Sequence, residues 1–447
     1  MFTYDSDHVI AGVEKLRFFP QTAVSGAGAT IVDADGRAVL DFSADWTAAG
    51  FGHGNPRIAA AVHEALVAGG PASVLSVAHP WATRLAEALL GLIPTLGADR
   101  RVYLGHAGTD ANDIAVRGAR HLTGRRGLIA FEAGYHGGAG SSQAFSGVHV
   151  ATGVPADPDT VFVPYPSAFR PFRGDASTVG QESLELVADA MAGGDIAAVI
   201  VEPLQSDGGL VVPPEGFLAG LRALCDRHGC LLIIDEVKVG LGRTGRLLAH
   251  DHDGVRADIV TLGKALGGGL PLAATVGPAA ALDEPAASAL MTTVGNAASC
   301  AAALEVVALL REGHLTANAA ARGTQLVEGL RAVASSGAAG ADWIADVRGR
   351  GLSVGVELLD PSRADGGFGD AADVVTAKVA YRAWQLGLAC YPVRGNVLEL
   401  TPWLGVTADE IGRGIALIGR ALADVVEGAV LDADIAGFSG WADAREE

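Results

Sequence analysis

Between residues 100 and 275 the chain repeats one pattern, a short apolar run followed by a segment of helical length. The runs are RVYL, GLIAF, TVFVPY, AAVIVE, CLLIID and DIVTL. Strands that alternate with helices pair in parallel, because each helix returns the chain to the same edge of the sheet. The pattern therefore predicts an α/β core with a mainly parallel sheet. LELVADAMA before the fourth run and FLAGLRALCDRHG before the fifth, closed by Gly229, have the helical spacing this requires.

At 447 residues the chain exceeds the size at which a single hydrophobic core keeps growing, so a companion domain is expected. The texture changes near residue 297. AASCAAALEVVALLREG and TQLVEGLRAVAS read as helices, RGRGLSVGVEL and NVLELTP as strands, and ADEIGRGIALIGRALADVV as a closing helix. Residues 297–447 are expected to form a smaller α+β domain. In ATIVDADGRAVLDFS an Asp-Gly turn between two apolar runs predicts a hairpin. The segment 1–45 that holds it is expected to pack with the small domain, leaving 46–296 as the large one.

Composition excludes several classes of function. A net charge of −19 opposes any polyanionic partner, since nucleic-acid binding draws its affinity from basic residues neutralising phosphates. The start, MFTYDSDHVIAGVEKLRFFP, lacks the basic and apolar regions of a secretory signal, and the apolar runs are too short to span a bilayer. A cytoplasmic location without a membrane or nucleic-acid partner is expected. Cysteines 225, 230, 300 and 390 lie in mostly apolar surroundings and read as buried free thiols. Neither they nor the histidines show ligand spacing, so no metal site is expected.

In parallel sheets ligands bind beyond the carboxyl ends of the strands. Here those ends are polar: Glu202, Asp235 with Glu236, Lys264, and the loop EAGYHGG with Tyr135 and His136. Lys264 stands out, because only four of the 32 basic residues are lysines, at 15, 238, 264 and 378. It lies between a strand and the turn GGGLP, where helix capping does not call for a long cation. A lysine amine there can form a Schiff base, and an aspartate at a neighbouring strand end can pair with a pyridinium nitrogen. For a phosphate, GHAGTDANDIAVRGAR offers Gly108 and Thr109 at a helix start, where N–H groups and the helix dipole favour an anion. Thr292 in ALMTTVGNA can add a hydroxyl. Asp110 would repel that anion if it faced inward, but turned outward it helps cap the helix. GLGRTG at 240–245 spells a dinucleotide fingerprint, yet RLLAHDHDGVRADIV after it has no helical period, so that reading is set aside.

With DFSADWTAAGFGHGNP, VEPLQSDGG, IIDEVKVGLGRTG, DIVTLGKALGGGLP and TPWL, these motifs resemble the class III pyridoxal-phosphate aminotransferases of fold type I. The resemblance runs from about Leu16 to the end of the chain. It implies pyridoxal 5'-phosphate as cofactor, with Lys264 as its Schiff-base lysine and Asp235 on the pyridine nitrogen. Tyr135 is implied to stack on the ring, Val237 to pack behind it, Glu202 to lie at the cofactor, and Gly108, Thr109 and Thr292 to hold the phosphate. In this family the threonine equivalent to Thr292 serves the neighbouring subunit, so a homodimer with shared active sites is implied. Its substrate would be a small amine or amino acid.

KLRFFP, EPLQSDGGLVVPPEGFL, DEVKVGLGRTGR and YRAWQLGL are similar to a subgroup of that family, α-amino-ε-caprolactam racemase and related amino-acid racemases. There Asp207 is implied as an acid/base, and Lys238, Trp46, Arg394 and Trp403 as neighbours of the substrate. Racemisation needs acid/base groups on both faces of a planar carbanion, whereas transamination can use one lysine. The expectation is a racemase or epimerase acting at the α-carbon of an amino acid or its lactam or amide; the alternative is a class III aminotransferase. Ala107, Ala297 and Trp403 depart from the family pattern, where Ser, Pro and Pro are usual.

Overall fold

The computed structural model describes residues 9–359, 370–394, 396–438 and 440. The chain splits into two compact units, Pro56–Thr316 and the paired segments Met1–Asn55 with Ala317–Glu447.

The first unit is built on one seven-stranded sheet. In chain order its strands are β1 (Arg100–Gly105), β2 (Gly127–Phe131), β3 (Thr160–Val163), β4 (Ile196–Val201), β5 (Leu231–Asp235), β6 (Ile259–Leu262) and β7 (Ala273–Pro278). Their order across the sheet is β1-β7-β6-β5-β4-β2-β3. Strands β6, β5, β4, β2 and β3 pair in parallel, while β7 runs antiparallel to both β6 and β1. Six of the seven are the apolar runs read from the sequence; β7 is the addition. Every residue of β2, β4 and β6 is buried, as a sheet covered on both faces requires. One core cluster joins Leu128, Ala198, Ile200, Ile233 and Ile259 of the sheet to Ala115, Val116 and Ala119 of the helix Gly108–Thr123. Burying each large aliphatic chain there stabilises the fold by roughly 1.5–3 kcal/mol.

The Ala-rich helix Ala297–Arg311 belongs to this unit, not to the C-terminal domain in which the sequence reading put it. Its buried Ala, Ser and Cys positions pack on the helices Pro56–Val67 and Pro80–Leu92. Small side chains let those backbones approach closely, so the change of texture at 297 marks a packing surface and not a domain border. The other join likewise lies further along the chain, at Asn55–Pro56.

In the second unit the expected hairpin pairs Thr30–Asp33 with Ala38–Asp41, and Ala23–Ala27 extends it. Leu388–Ala389 adds in parallel beside Ala38–Asp41, which ties the N-terminal segment to the C-terminal one. A second, antiparallel sheet has the order Ile344–Arg350, Ser353–Leu358, Val397–Leu400, Tyr391–Val393. The closing helix Ala408–Val426 starts at a capping box. Thr407 Oγ1 accepts from Glu410 N at 3.2 Å, and the Glu410 carboxylate accepts from Thr407 N at 2.8 Å. Among the described residues no helix is long and apolar enough to cross a membrane.

Candidate active site

Asp235 closes β5 and is buried, with three donors around its carboxylate. Oδ2 accepts from Asn112 Nδ2 at 2.7 Å and His136 Nδ1 at 2.8 Å. Oδ1 accepts from Val237 N at 3.0 Å, with Thr261 Oγ1 3.4 Å away. Thr261 Oγ1 donates its hydrogen to Asn112 Oδ1 at 2.7 Å, and Asn112 donates to the carbonyl of His136 at 2.9 Å, so the amide cannot flip without losing bonds. His136 Nε2 is buried without a hydrogen-bond partner among the described residues.

The ends of β1, β5 and β6 press together around glycines. A Cβ on Gly108 would stand 2.6 Å from Val237 Cγ1, and one on Gly263 would stand 3.1 Å from that atom and 3.3 Å from Gly108 N. Lys264 follows Gly263, opens the 3-10 turn Lys264–Gly267, and has φ +45°, a strained value for a residue with a side chain. At the helix start Asp110 turns back to accept from His106 N at 2.6 Å and Ala107 N at 2.7 Å, the outward capping role. Thr292 is exposed; its neighbour Thr293 hydrogen-bonds through Oγ1 to His106 Nε2 at 2.8 Å.

Beside these groups lies a second charged pair. Lys238 Nζ donates to Asp207 Oδ1 at 3.2 Å, and the two residues are only 7% and 5% exposed. Lys238 is thus an ion-pair partner, not a solvated lysine. Burial pushes the Asp207 carboxyl up, but Lys238 and Lys264 outweigh it and hold the group below the usual carboxylate range. Tyr135 lies nearby: burial and then Asp207 push its hydroxyl up to about 12. Its ring centroid is 5.4 Å from that of His149, whose imidazole is held low by burial. Glu202 accepts from Tyr135 N at 2.9 Å and Ser206 N at 3.3 Å, and burial, with Asp235 nearby, pushes its carboxyl up to about 7 against the pull of His136. Glu236 points elsewhere, into bonds with His250 Nδ1 at 2.7 Å and the amides of Ala249 and His250.

Trp46, Arg394 and Trp403 belong to the other unit. Trp46 sits in a left-handed turn in which Ala44, Asp45, Trp46 and Thr47 have φ of +46°, +48°, +56° and +70°. Such residues cost roughly 1–2 kcal/mol each. Asp41 holds the turn, accepting from Ser43 N at 2.8 Å, Ser43 Oγ at 2.6 Å and Ala44 N at 3.0 Å on Oδ1. Its Oδ2 is 2.7 Å from His53 Nε2, and that bond raises the His53 pKa. The Trp46 ring packs 5.0 Å from Tyr391. Trp403 lies against Gly28, Gly52 and Gly405, where a Cβ on Gly52 would reach 2.8 Å from its ring. Arg394 is half-buried in the turn after Tyr391–Val393.

The sequence reading named His136 without a partner and passed over Asn112, Thr261 and His149. For Asn112 a signal existed: it falls one turn after Gly108, a polar residue among buried Ala111, Ile114 and Ala115.

The large unit holds a helix start at Gly108, the buried Asp235 carboxylate at the end of β5 and Lys264 after β6, with Gly108 and Gly263 both packed against Val237. A helix start, a carboxylate and a lysine amine are group types that suit a phosphate, a pyridinium nitrogen and an aldehyde, and the architecture is that of the fold type I pyridoxal-phosphate enzymes. Residues 12–422 match the family model for class-III aminotransferases, and the chain belongs to that family. It is 33% identical to a leucine/methionine racemase of Thermococcus litoralis over 96% of each chain. It is 37% identical to an acetylornithine aminotransferase of Corynebacterium efficiens over 91% of this chain and 93% of that one. An amine transaminase from an uncultivated Pseudomonas species, solved with pyridoxal phosphate bound, superposes with a TM-score of 0.81 at 29% identity, over 90% of this chain and 94% of the other. The protein is an enzyme of this family and pyridoxal phosphate is its cofactor.

Proposed function

We propose that the protein is a racemase or epimerase that inverts the α-carbon of an amino acid, or of its lactam or amide. The observation that carries this reading is the buried Asp207–Lys238 pair, 3.2 Å apart, with Lys264 close enough to lower the Asp207 pKa. A transaminase can move its proton with one lysine. A second buried carboxylate that brings its own counter-charge suits a reaction with two proton carriers. The likeness to a leucine/methionine racemase along nearly the whole chain supports it.

Bound pyridoxal phosphate supplies the electron sink that makes the α-proton of an attached amine acidic. Asp235 would hold a proton at the pyridine nitrogen, and Asn112 and His136 keep its carboxylate in one orientation. Lys264 Nζ and the Asp207 carboxylate remove and return the α-proton on opposite faces. Lys238 keeps Asp207 deprotonated and ready to accept, despite its burial. Tyr135 would stack on the ring and exclude water there, Val237 would pack behind it, and Glu202, which accepts from Tyr135 N, would fix that backbone. Gly108 and Thr109 would bind the phosphate, and Thr292 would reach that of the neighbouring subunit.

A single enantiomer of the substrate, incubated in D2O without an oxo acid, is expected to racemise and gain deuterium at the α-carbon. Asp207→Asn is expected to lose racemisation by at least about 100-fold, the lower end for a proton carrier, while still binding the cofactor. The second reading, an aminotransferase, is favoured by the 37% identity to an acetylornithine aminotransferase. It would show turnover only with an oxo-acid acceptor, and Asp207→Asn would retain it; that result overturns the racemase reading.

The same reading makes the enzyme a homodimer in which Thr292, exposed on the single chain, serves the neighbour's phosphate. Sedimentation equilibrium should give twice the chain mass of 45.3 kDa, and Thr292→Ala should weaken cofactor binding. A fully active monomer would sink it.

A further inference from the structure

At the amino end of β5, two of the four cysteines flank a single turn. The helix Phe217–His228 ends with Gly229 in the left-handed conformation, φ +63°. Gly229 N and Cys230 N both donate to the carbonyl of Cys225, the latter at 3.1 Å. That six-residue closure is a Schellman motif, which sets the side chain three positions before the helix end against the side chain just past the turn. An apolar contact usually fills the position. Here both residues are cysteines, both buried, and Cys225 Sγ donates to the carbonyl of Leu231 at 4.0 Å.

The surroundings make the two sulfurs unequal. Arg125 spans this helix end, donating to the carbonyls of Ile196 at 3.1 Å, His228 at 3.0 Å and Gly229 at 3.1 Å. Arg222, one turn before Cys225, is held by Asp258 at 2.6 Å and Asp226 at 2.7 Å. The neighbouring Cys225 thiol, then the Arg125 and Arg222 guanidiniums, draw the Cys230 pKa below that of a free thiol. The neighbouring Cys230 sulfur, with burial, holds Cys225 protonated. Both sulfurs are buried, yet the cover is thin, because Asp226, Arg227 and Gly229 are exposed and a helix end is where local opening is easiest.

We propose that Cys225 and Cys230 form a dithiol modification site that a peroxide closes to an intramolecular disulfide. The Cys230 thiolate attacks one peroxide oxygen, the O–O bond breaks, and hydroxide leaves to take up a proton as water. Cys225 sulfur then attacks Cys230 sulfur; the S–S bond forms, the S–O bond breaks, and the second oxygen leaves as water with the Cys225 proton. The two thiols supply the two electrons that the peroxide accepts. The site is independent of which reaction the active site performs.

The test uses the cofactor-loaded enzyme treated with hydrogen peroxide, alkylated and digested with trypsin. Cleavage after Arg227 separates the cysteines, so the disulfide should join the peptides 223–227 and 228–238 at a mass about 2 Da below their sum, with Cys300 and Cys390 alkylated. Recovery of Cys225 and Cys230 both alkylated, or of Cys230 oxidised to sulfinic acid beside a free Cys225, would overturn the proposal. Cys225→Ala should abolish the link and leave Cys230 to over-oxidise. A measurement free of any variant is capture by phenylarsine oxide, which needs two thiols within reach of one arsenic. On the reduced wild-type enzyme it should protect Cys225 and Cys230 together from alkylation, and failure to protect them counts against the pair.

Discussion

A Cβ added at Gly108 would lie 2.6 Å from Val237 Cγ1, closer than carbon atoms approach one another. The helix start and the residue after Asp235 therefore share one space, and any side chain at 108 must push Val237 or lift the helix. Gly108→Ala is expected to weaken cofactor binding by roughly 1–3 kcal/mol, the range for overpacking a tight site. Fluorescence titration of the apoenzyme with pyridoxal phosphate would measure it. Val237→Ala in the same chain should recover part of the loss by vacating the contested volume. If the double variant binds no better than Gly108→Ala alone, the clash is not the cause. At this scale the sequence was informative in an uneven way. Lys264, Asp235 and Glu202 were legible as polar ends of apolar strands, whereas the burial of Lys238 was not, because nothing local marks a lysine as facing a carboxylate 31 residues away.

Helices and strands were read from their periods, and the exceptions have physical causes. Strand β7 was missed because LAATVG follows a glycine-rich turn and offers few β-branched residues in alternation. The Ala-rich helix Ala297–Arg311 was visible as a helix but not as a member of the large unit, since period says which face is apolar and not which partner covers it. Close approach between elements is also invisible in propensity. In the second unit, Gly323 of the helix His314–Ala334 faces the turn at Gly351, where a Cβ would stand 2.0 Å from the Gly351 carbonyl oxygen. Backbone cannot yield there as a side chain can, so Gly323→Ala is expected to destabilise the protein by about 3 kcal/mol or more, despite alanine's better helix propensity. Chemical denaturation of the variant, with a midpoint unchanged or raised, would show that the helix can shift.

For the molecule as a whole, Glu202 couples the site to stability. Its carboxyl is pushed up to about 7 by burial from an ordinary 4.5, so the folded protein binds that proton more tightly than the unfolded chain. The contribution is fully present below the unfolded value and is lost as pH rises through about 7, for a total of roughly 3 kcal/mol. Stability to denaturant should therefore fall between about pH 5 and about pH 8, and Glu202→Gln should flatten that slope. An equally steep slope in the variant would assign the effect to another group.

What the sequence determined by itself was local and compositional: the alternation that demands a parallel sheet, the hairpin at an Asp-Gly turn, and the residue types beyond the strand ends that can serve pyridoxal phosphate. Tertiary structure alone decided which groups meet. Asn112 and His136 reach Asp235 from 123 and 99 residues away, and Thr261 locks Asn112 from a further strand. Such pairings come from the order in which strands assemble and from how tightly glycine lets their ends approach. A periodicity of two or 3.6 residues carries neither piece of information, because it reports which face of an element is buried and nothing of what stands opposite.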